Sequence, residues 1–73
     1  MDGLIEGRIV HYVNQLGIHM AAVVTYVHSP AIGRVNLFAF LAGRSTADEG
    51  CLKLSVNYDE LMAKGTWHWI EKA

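Results

Sequence analysis

Four histidines are the residues of this sequence best suited to bind a metal ion or to carry a proton. His11, His19, His28 and His68 each offer an imidazole group, which can bind a metal ion or transfer a proton. Their spacing lacks the C-x-x-C and H-x-x-x-H patterns typical of zinc sites, so the sequence predicts neither a metal nor a cofactor. One alternative stays open, because His11 and His68 would meet if the first and last strands paired to close a barrel.

The nucleophiles and carboxylates do not form a recognisable catalytic pattern. Cys51 has no histidine nearby in the sequence that could act as its base. Hydroxyls and carboxylates share the segment Ser45–Glu49, but a segment of this composition is typical of a solvated loop. There is also no motif of paired carboxylates and no glycine-rich loop for a phosphate. The sequence therefore predicts that the protein is not an enzyme.

Aromatic and basic side chains are the better candidates for ligand binding. Trp67 and Trp69 lie two residues apart, so in a strand they share one face and His68 lies on the other. They either anchor the core or line a groove, and core packing is favoured for at least one of them. Tyrosines and arginines could add stacking faces and anion contacts, which would suit a phosphorylated aromatic ligand such as a small nucleotide. The candidate ligand-binding residues are Arg8, His11, Tyr12, Tyr26, Arg34, Trp67, His68 and Trp69.

Length and composition predict one small domain that self-associates. The 73 residues read as a single domain, residues 1–73, of which 52% are apolar and only 18% charged. A domain of this size has too little interior to hide so much apolar surface, so we expect a homo-oligomer, a dimer or higher. The net charge is −1 and no basic run is present, which argues against binding to duplex nucleic acid.

The sequence also predicts a cytoplasmic protein without a membrane segment. The single Cys51 cannot form an internal disulfide, which suits a reducing compartment. Residues Met1–Glu6 lack the basic start of a signal peptide. The longest nearly apolar run, Val35–Ala42, is too short to cross a bilayer.

Alternation and turn residues predict a mainly β fold. Ser29–Gly33 is a turn, Gly43–Gly50 an exposed loop, and Asn57–Gly65 a short helix with Asn57 as its cap. In the fourth strand we expect Leu52, Leu54 and Val56 to point inward. The fold expected is a small antiparallel SH3-like barrel of about five strands with one short helix before the last strand, and an open curved sheet is the alternative. The predicted strands are Arg8–Val13, Met20–His28, Arg34–Leu41, Cys51–Val56 and Thr66–Ile70.

The order of these segments resembles a set of short proteins encoded by tailed bacteriophages and prophages. The resemblance rests on the opening Gly7–Val13 (GRIVHYV), the closing Gly65–Trp69 (GTWHW), and the intervening segments His19 with Ala21–Val24, Val35–Phe40 and Ser55–Glu60. Where these relatives usually follow the closing motif with proline, this chain has Ile70. The resemblance implies a phage or prophage origin and adds no catalytic residue.

We therefore expect a non-enzymatic phage-derived protein in the host cytoplasm that binds a host partner or a small nucleotide, with an anti-defence role. Two alternatives stay open: a structural or assembly component of the phage particle, and a weak binding module for single-stranded nucleic acid.

Overall fold

The fold is a five-stranded antiparallel sheet that curls into a half-barrel. A computed structural model describes residues 1–40 and 51–70, so the predicted loop at Gly43–Gly50 lies outside the described residues. The sheet order is β4-β3-β2-β1-β5. This architecture confirms the predicted all-β class and the number of strands. The strands are β1 (Ile9–Val13), β2 (His19–Ser29), β3 (Arg34–Ala39), β4 (Cys51–Val56) and β5 (Trp67–His68).

One face of the curled sheet forms the core, because apolar residues alternate along its strands with a period of two. We call this the inner face. In β1 it takes Val10 and Tyr12, while Ile9 and His11 point to the opposite, outer face. Side chains also alternate along β3, with Phe38 on the outer face. The core consists of Leu4, Val10, Tyr12, Met20, Ala22, Val24, Val35, Leu37, Ala39, Val56 and Trp67.

The curl of the sheet follows from its longest strand. β2 has 11 residues and pairs with both β1 and β3. Its pairing with β3 shifts register between Val24 and Tyr26 and again between Val27 and Ser29. Such irregularities increase the local twist and bend a strand. The bent β2 therefore joins β3 and β4 on one side of the sheet to β1 and β5 on the other.

Two tight turns fix the register of the sheet. Between β1 and β2, the side chain of Asn14 is only 3% exposed, and its Oδ1 accepts hydrogen bonds from the amides of Leu16 and Ile18, both at 2.9 Å. Between β2 and β3, the amide of Gly33 donates to the carbonyl of Ser29 at 2.9 Å, with a φ of 75° at Gly33 that favours glycine. This second turn confirms the predicted turn at Ser29–Gly33.

The predicted helix at Asn57–Gly65 is wrong. The amide of Trp67 donates to the carbonyl of Asn57, and the amide of Asp59 donates to the carbonyl of Trp67, so the start of the segment is extended beside β5. Met62 then has a φ of 62°, which a right-handed helix cannot contain. The segment pairs with β5 instead because nine residues are too few for a stable isolated helix.

The part of the chain that the structure describes has no helix able to cross a membrane.

The sequence predicts that Leu52, Leu54 and Val56 of β4 point inward, and this is wrong for Leu52 and Leu54. Leu52 and Leu54 are exposed on the outer face, while Val56 is buried. The cause is a register shift between β3 and β4, at which Ser55 adopts a φ of 53°. A bulge of this kind adds one residue to the strand and reverses the alternation beyond it, so Leu54 and Val56 face opposite sides despite their even spacing.

Candidate functional site

The outer face of the sheet carries a continuous row of apolar side chains. Ile9 pairs with Val23, Val23 with Phe38, and Phe38 with Leu52, so the row crosses four neighbouring strands. We call these four residues the apolar row. Ile9 is 46% exposed, Phe38 40% and Leu52 54%. The ring of Phe40 extends the row, since its centroid lies 5.4 Å from that of Phe38.

Three histidines meet beside the apolar row, where β1 pairs with β5. His11 is directly opposite His68 in the β1–β5 pair, and His19 enters from the start of β2 opposite Val13. A nitrogen from each of the three imidazoles lies within 4.8 Å of the other two. The ring centroids are 5.6 Å apart for His11 and His68, 4.8 Å for His19 and His68, and 6.1 Å for His11 and His19.

The three histidines differ in exposure. His68 is 2% exposed, His11 is half-buried, and His19 is exposed. Val13 lies on the same face, two residues after His11 and opposite His19, and it is buried without belonging to the core cluster of the inner face. The cluster is therefore enclosed at His68 and Val13 and reaches solvent at His19.

Trp67 and Tyr12, two of the predicted ligand-binding residues, belong to the core. Trp67 is 0% exposed, and its Nε1–H donates to the carbonyl of Gly33 at 2.6 Å. Tyr12 pairs with Trp67 across β1 and β5, and the Lys53 ammonium lies 5.5 Å from the centre of its ring. Both rings pack among the other core side chains, so they anchor β1 and β5 to the interior.

Trp69 and Arg8 line an open depression that shares Ile9 with the apolar row. The ring of Trp69 is half-buried and stands perpendicular to that of Trp67, with the centroids 5.0 Å apart. The guanidinium of Arg8 lies 5.8 Å from the centre of the Trp69 ring, within the range of a cation–π contact. Gly7, Ile9 and Ile70 complete a depression of about 600 Å³. An aromatic ring beside a guanidinium can bind a flat, anionic ligand.

Tyr26 and Arg34, the remaining two candidates, lie apart from both clusters. Tyr26 is on the exposed outer face, and its ring centroid lies 4.9 Å from that of His28. Arg34 is at the start of β3 and its Nε–H donates to Oδ1 of Asn57 at 3.1 Å. The eight predicted residues thus do not form one site: the fold divides them between the core, the histidine cluster, the Arg8–Trp69 depression and these two positions.

Sequence reasoning anticipated one part of the histidine cluster and missed another. Pairing of β1 with β5 brings His11 and His68 together, as the barrel argument allowed. His19 was not among the predicted site residues. The signal available in the sequence was the short turn Asn14–Ile18, because a hairpin around it returns the chain beside β1 with His19 near His11. The exposed positions of Leu52 and Leu54 were also missed, since the bulge at Ser55 carries no distinctive residue.

The chain matches no protein-family model, no curated protein and no solved structure.

Proposed function

We propose that this protein is a non-enzymatic binding protein of phage or prophage origin that acts as a homo-oligomer, with the outer face of its sheet as the contact between copies. The apolar row carries this proposal. Monomeric proteins rarely expose a continuous apolar patch of several large side chains, and such patches commonly mark interaction surfaces. The row is formed by register-paired residues of four strands, so it is a property of the folded sheet and not of one mobile side chain.

A second copy of the chain is the occupant that fits this face best. The paired positions of the apolar row and Phe40 carry no charge, so the row offers no charged group to a nucleic acid or to a strongly charged partner. The same uncharged surface on a second copy matches it, because a twofold contact would bury these side chains on both copies. Two sheets packed face to face in this way, with their strands inclined by about 30°, form a familiar arrangement.

The test is the effect of one charge on the oligomeric state. In Leu52→Lys an ammonium replaces an apolar side chain of the row, and Leu61→Lys is the matched control, because Leu61 is 86% exposed in the turn before β5. We expect sedimentation velocity at micromolar concentration to give a dimer or larger species for the wild type and for Leu61→Lys. Leu52→Lys should sediment as a monomer, with an unchanged circular dichroism spectrum. A wild-type chain that remains monomeric at 100-fold higher concentration would refute the proposal.

The Arg8–Trp69 depression supports a second candidate function, the binding of a small nucleotide. A base can stack on the exposed part of the Trp69 ring while the Arg8 guanidinium contacts a phosphate. In the host cytoplasm, capture of a signalling nucleotide would serve an anti-defence role. The Arg8 segment is held by the sheet: the Arg8 carbonyl accepts from the amide of Val24 at 2.9 Å, and the Gly7 amide donates to the Val24 carbonyl at 2.7 Å.

Titration with adenosine monophosphate, followed by tryptophan fluorescence, tests this second candidate. We expect saturable quenching for the wild type and for Arg34→Gln, whose arginine lies at the start of β3. Arg8→Gln should weaken binding by about tenfold, because a charge-assisted hydrogen bond contributes about 1.5 kcal/mol or more. Emission that does not change at millimolar nucleotide, or equal weakening in both variants, would argue against this site.

We further propose that the half-barrel is of the SH3-like type. Its support is the strand order, an antiparallel meander in which the short β5 returns to pair with β1, and the irregular β2, which takes part in both halves of the sheet.

A further inference from the structure

We propose that His11, His19 and His68 form a binding site for a divalent transition-metal ion such as Zn²⁺. None of the three histidines belongs to the apolar row or lines the Arg8–Trp69 depression. It rests on three imidazoles that come from three different strands, β1, β2 and β5, and converge at one point of the outer face. Among the described residues, the metal-ligating side chains at this point are all histidines.

Backbone pairing fixes the relative positions of the three histidines. His11 and His68 are directly opposite one another in adjacent antiparallel strands, where facing side chains are nearest neighbours. His19 is diagonal to His11, because it pairs with Val13 two residues further along β1. Sites built on strands hold their ligands more closely than sites built on loops. The Asn14 turn adds to this, since it sets where β2 begins.

The distances are close to those of a bound ion. Zinc–imidazole bonds of about 2.0–2.1 Å in tetrahedral geometry place the nitrogens about 3.3–3.4 Å apart. The three nitrogens now lie within 4.8 Å of one another, so each has to move by about 1 Å or less to reach a shared ion. Rotation about the side-chain torsions provides such movements without any change in the backbone.

The donor set selects the class of ion. Neutral imidazole nitrogens suit Zn²⁺, Cu²⁺, Ni²⁺ and Co²⁺, whereas Mg²⁺ and Ca²⁺ prefer oxygen ligands. Three protein ligands leave a fourth tetrahedral position for water or another donor. That position faces solvent, because His19 is exposed while His68 forms the buried side.

The competing explanation is packing between rings. All three ring pairs are arranged edge to face, with interplanar angles of 65° to 89°, an arrangement that aromatic rings also adopt without any ion. If the rings only pack against one another, no stoichiometric, saturable binding of a metal ion is expected. The absence of such binding would overturn the proposal.

The experiment uses the full chain without a polyhistidine tag, freed of metal by a chelator. Co²⁺ is the spectroscopic probe, because tetrahedral coordination gives it strong visible absorption, and Zn²⁺ is measured by titration calorimetry and by displacement of Co²⁺. We expect one equivalent of either ion per chain. We also expect the melting temperature to rise with Zn²⁺ concentration, because the ion binds only the folded chain tightly.

Two variants separate a metal site from general histidine affinity. His19→Ala removes an exposed ligand, so its loss should leave the fold intact by circular dichroism. It should weaken Zn²⁺ binding by more than about 10–100-fold. Losing a residue that only supports a metal ligand already lowers the affinity by about that factor, and His19 is itself one of the proposed ligands. The matched control is His28→Ala in the same strand, since His28 is hydrogen-bonded to Asn36 at 2.7 Å and belongs to a different part of the outer face. Equal loss of affinity in both variants would overturn the proposal.

Discussion

Gly33 is the described glycine at which an added methyl group meets the most crowded surroundings. A Cβ built there would lie 2.7 Å from Cβ of Tyr58, and 3.0 Å from Cε of the flexible Met1 side chain. Apolar carbons are in contact at about 3.5–4.0 Å, so Tyr58 would have to move by about 1 Å. That movement disturbs the core, because the rings of Tyr58 and Trp67 are 5.0 Å apart, and Trp67 donates its indole N–H to Gly33 itself.

Gly7→Ala is the matched control for Gly33→Ala. Gly7 has a φ of 91°, and no heavy atom lies within 4 Å of the position of its added Cβ. Both variants carry the cost of a left-handed residue, about 1–2 kcal/mol, which is reduced by about 0.4–1 kcal/mol because alanine has less freedom in the unfolded chain. We therefore expect Gly7→Ala to lower the free energy of unfolding by about 1 kcal/mol.

Gly33→Ala adds an overpacking cost of about 1–3 kcal/mol, so its total should be about 2–4 kcal/mol. For a domain of this size that corresponds to a fall in melting temperature of about 10–20 °C, against about 5 °C for the control. The assay is thermal and urea unfolding followed by circular dichroism at one fixed protein concentration, since self-association would shift the apparent stability. Equal stability of the two variants would refute the steric reasoning.

Two further substitutions test how β1 and β5 are held. Asn14→Ala removes the acceptor of the Leu16 and Ile18 amides, so the free energy of unfolding measured in urea should fall by about 1–3 kcal/mol. The control is Gln15→Ala at the neighbouring exposed position, which should change the free energy of unfolding by no more than about 0.5 kcal/mol. A similar fall in the control would contradict the role of Asn14. Trp67→Phe removes the hydrogen bond to Gly33 and part of a fully buried ring, so it should cost about 2–4 kcal/mol. The same change at the half-buried Trp69 should cost less, and the reverse order would show that Trp69 is the true anchor.

Much of the sheet could be predicted from local sequence. The strands around Ile9, Val24 and Leu37 show alternation or β-branched runs, and the Ser29–Gly33 turn carries its own punctuation in proline and glycine. The sequence also placed Trp67 and Trp69 on one face with His68 on the other, because side chains in a strand alternate strictly. These features depend on near neighbours in the chain, which is why they can be predicted without the fold.

The bulge in β4 and the fate of Asn57–Gly65 could not be predicted in this way. The bulge depends on how β4 pairs with β3, and the helix signal at Asn57 was real but weaker than the hydrogen bonds that this segment makes with Trp67. In both cases, pairing with a distant strand overrode a local preference.

The sequence by itself determined that the protein is a small β domain with surplus apolar residues and four histidines. Only the tertiary structure decided where these residues meet. Pairing of β5 with β1 placed His68 opposite His11, the Asn14 turn brought in His19, and register across four strands aligned the apolar row. The physical reason is that hydrogen-bonded register between strands far apart in sequence sets these contacts, and composition and spacing do not encode that register.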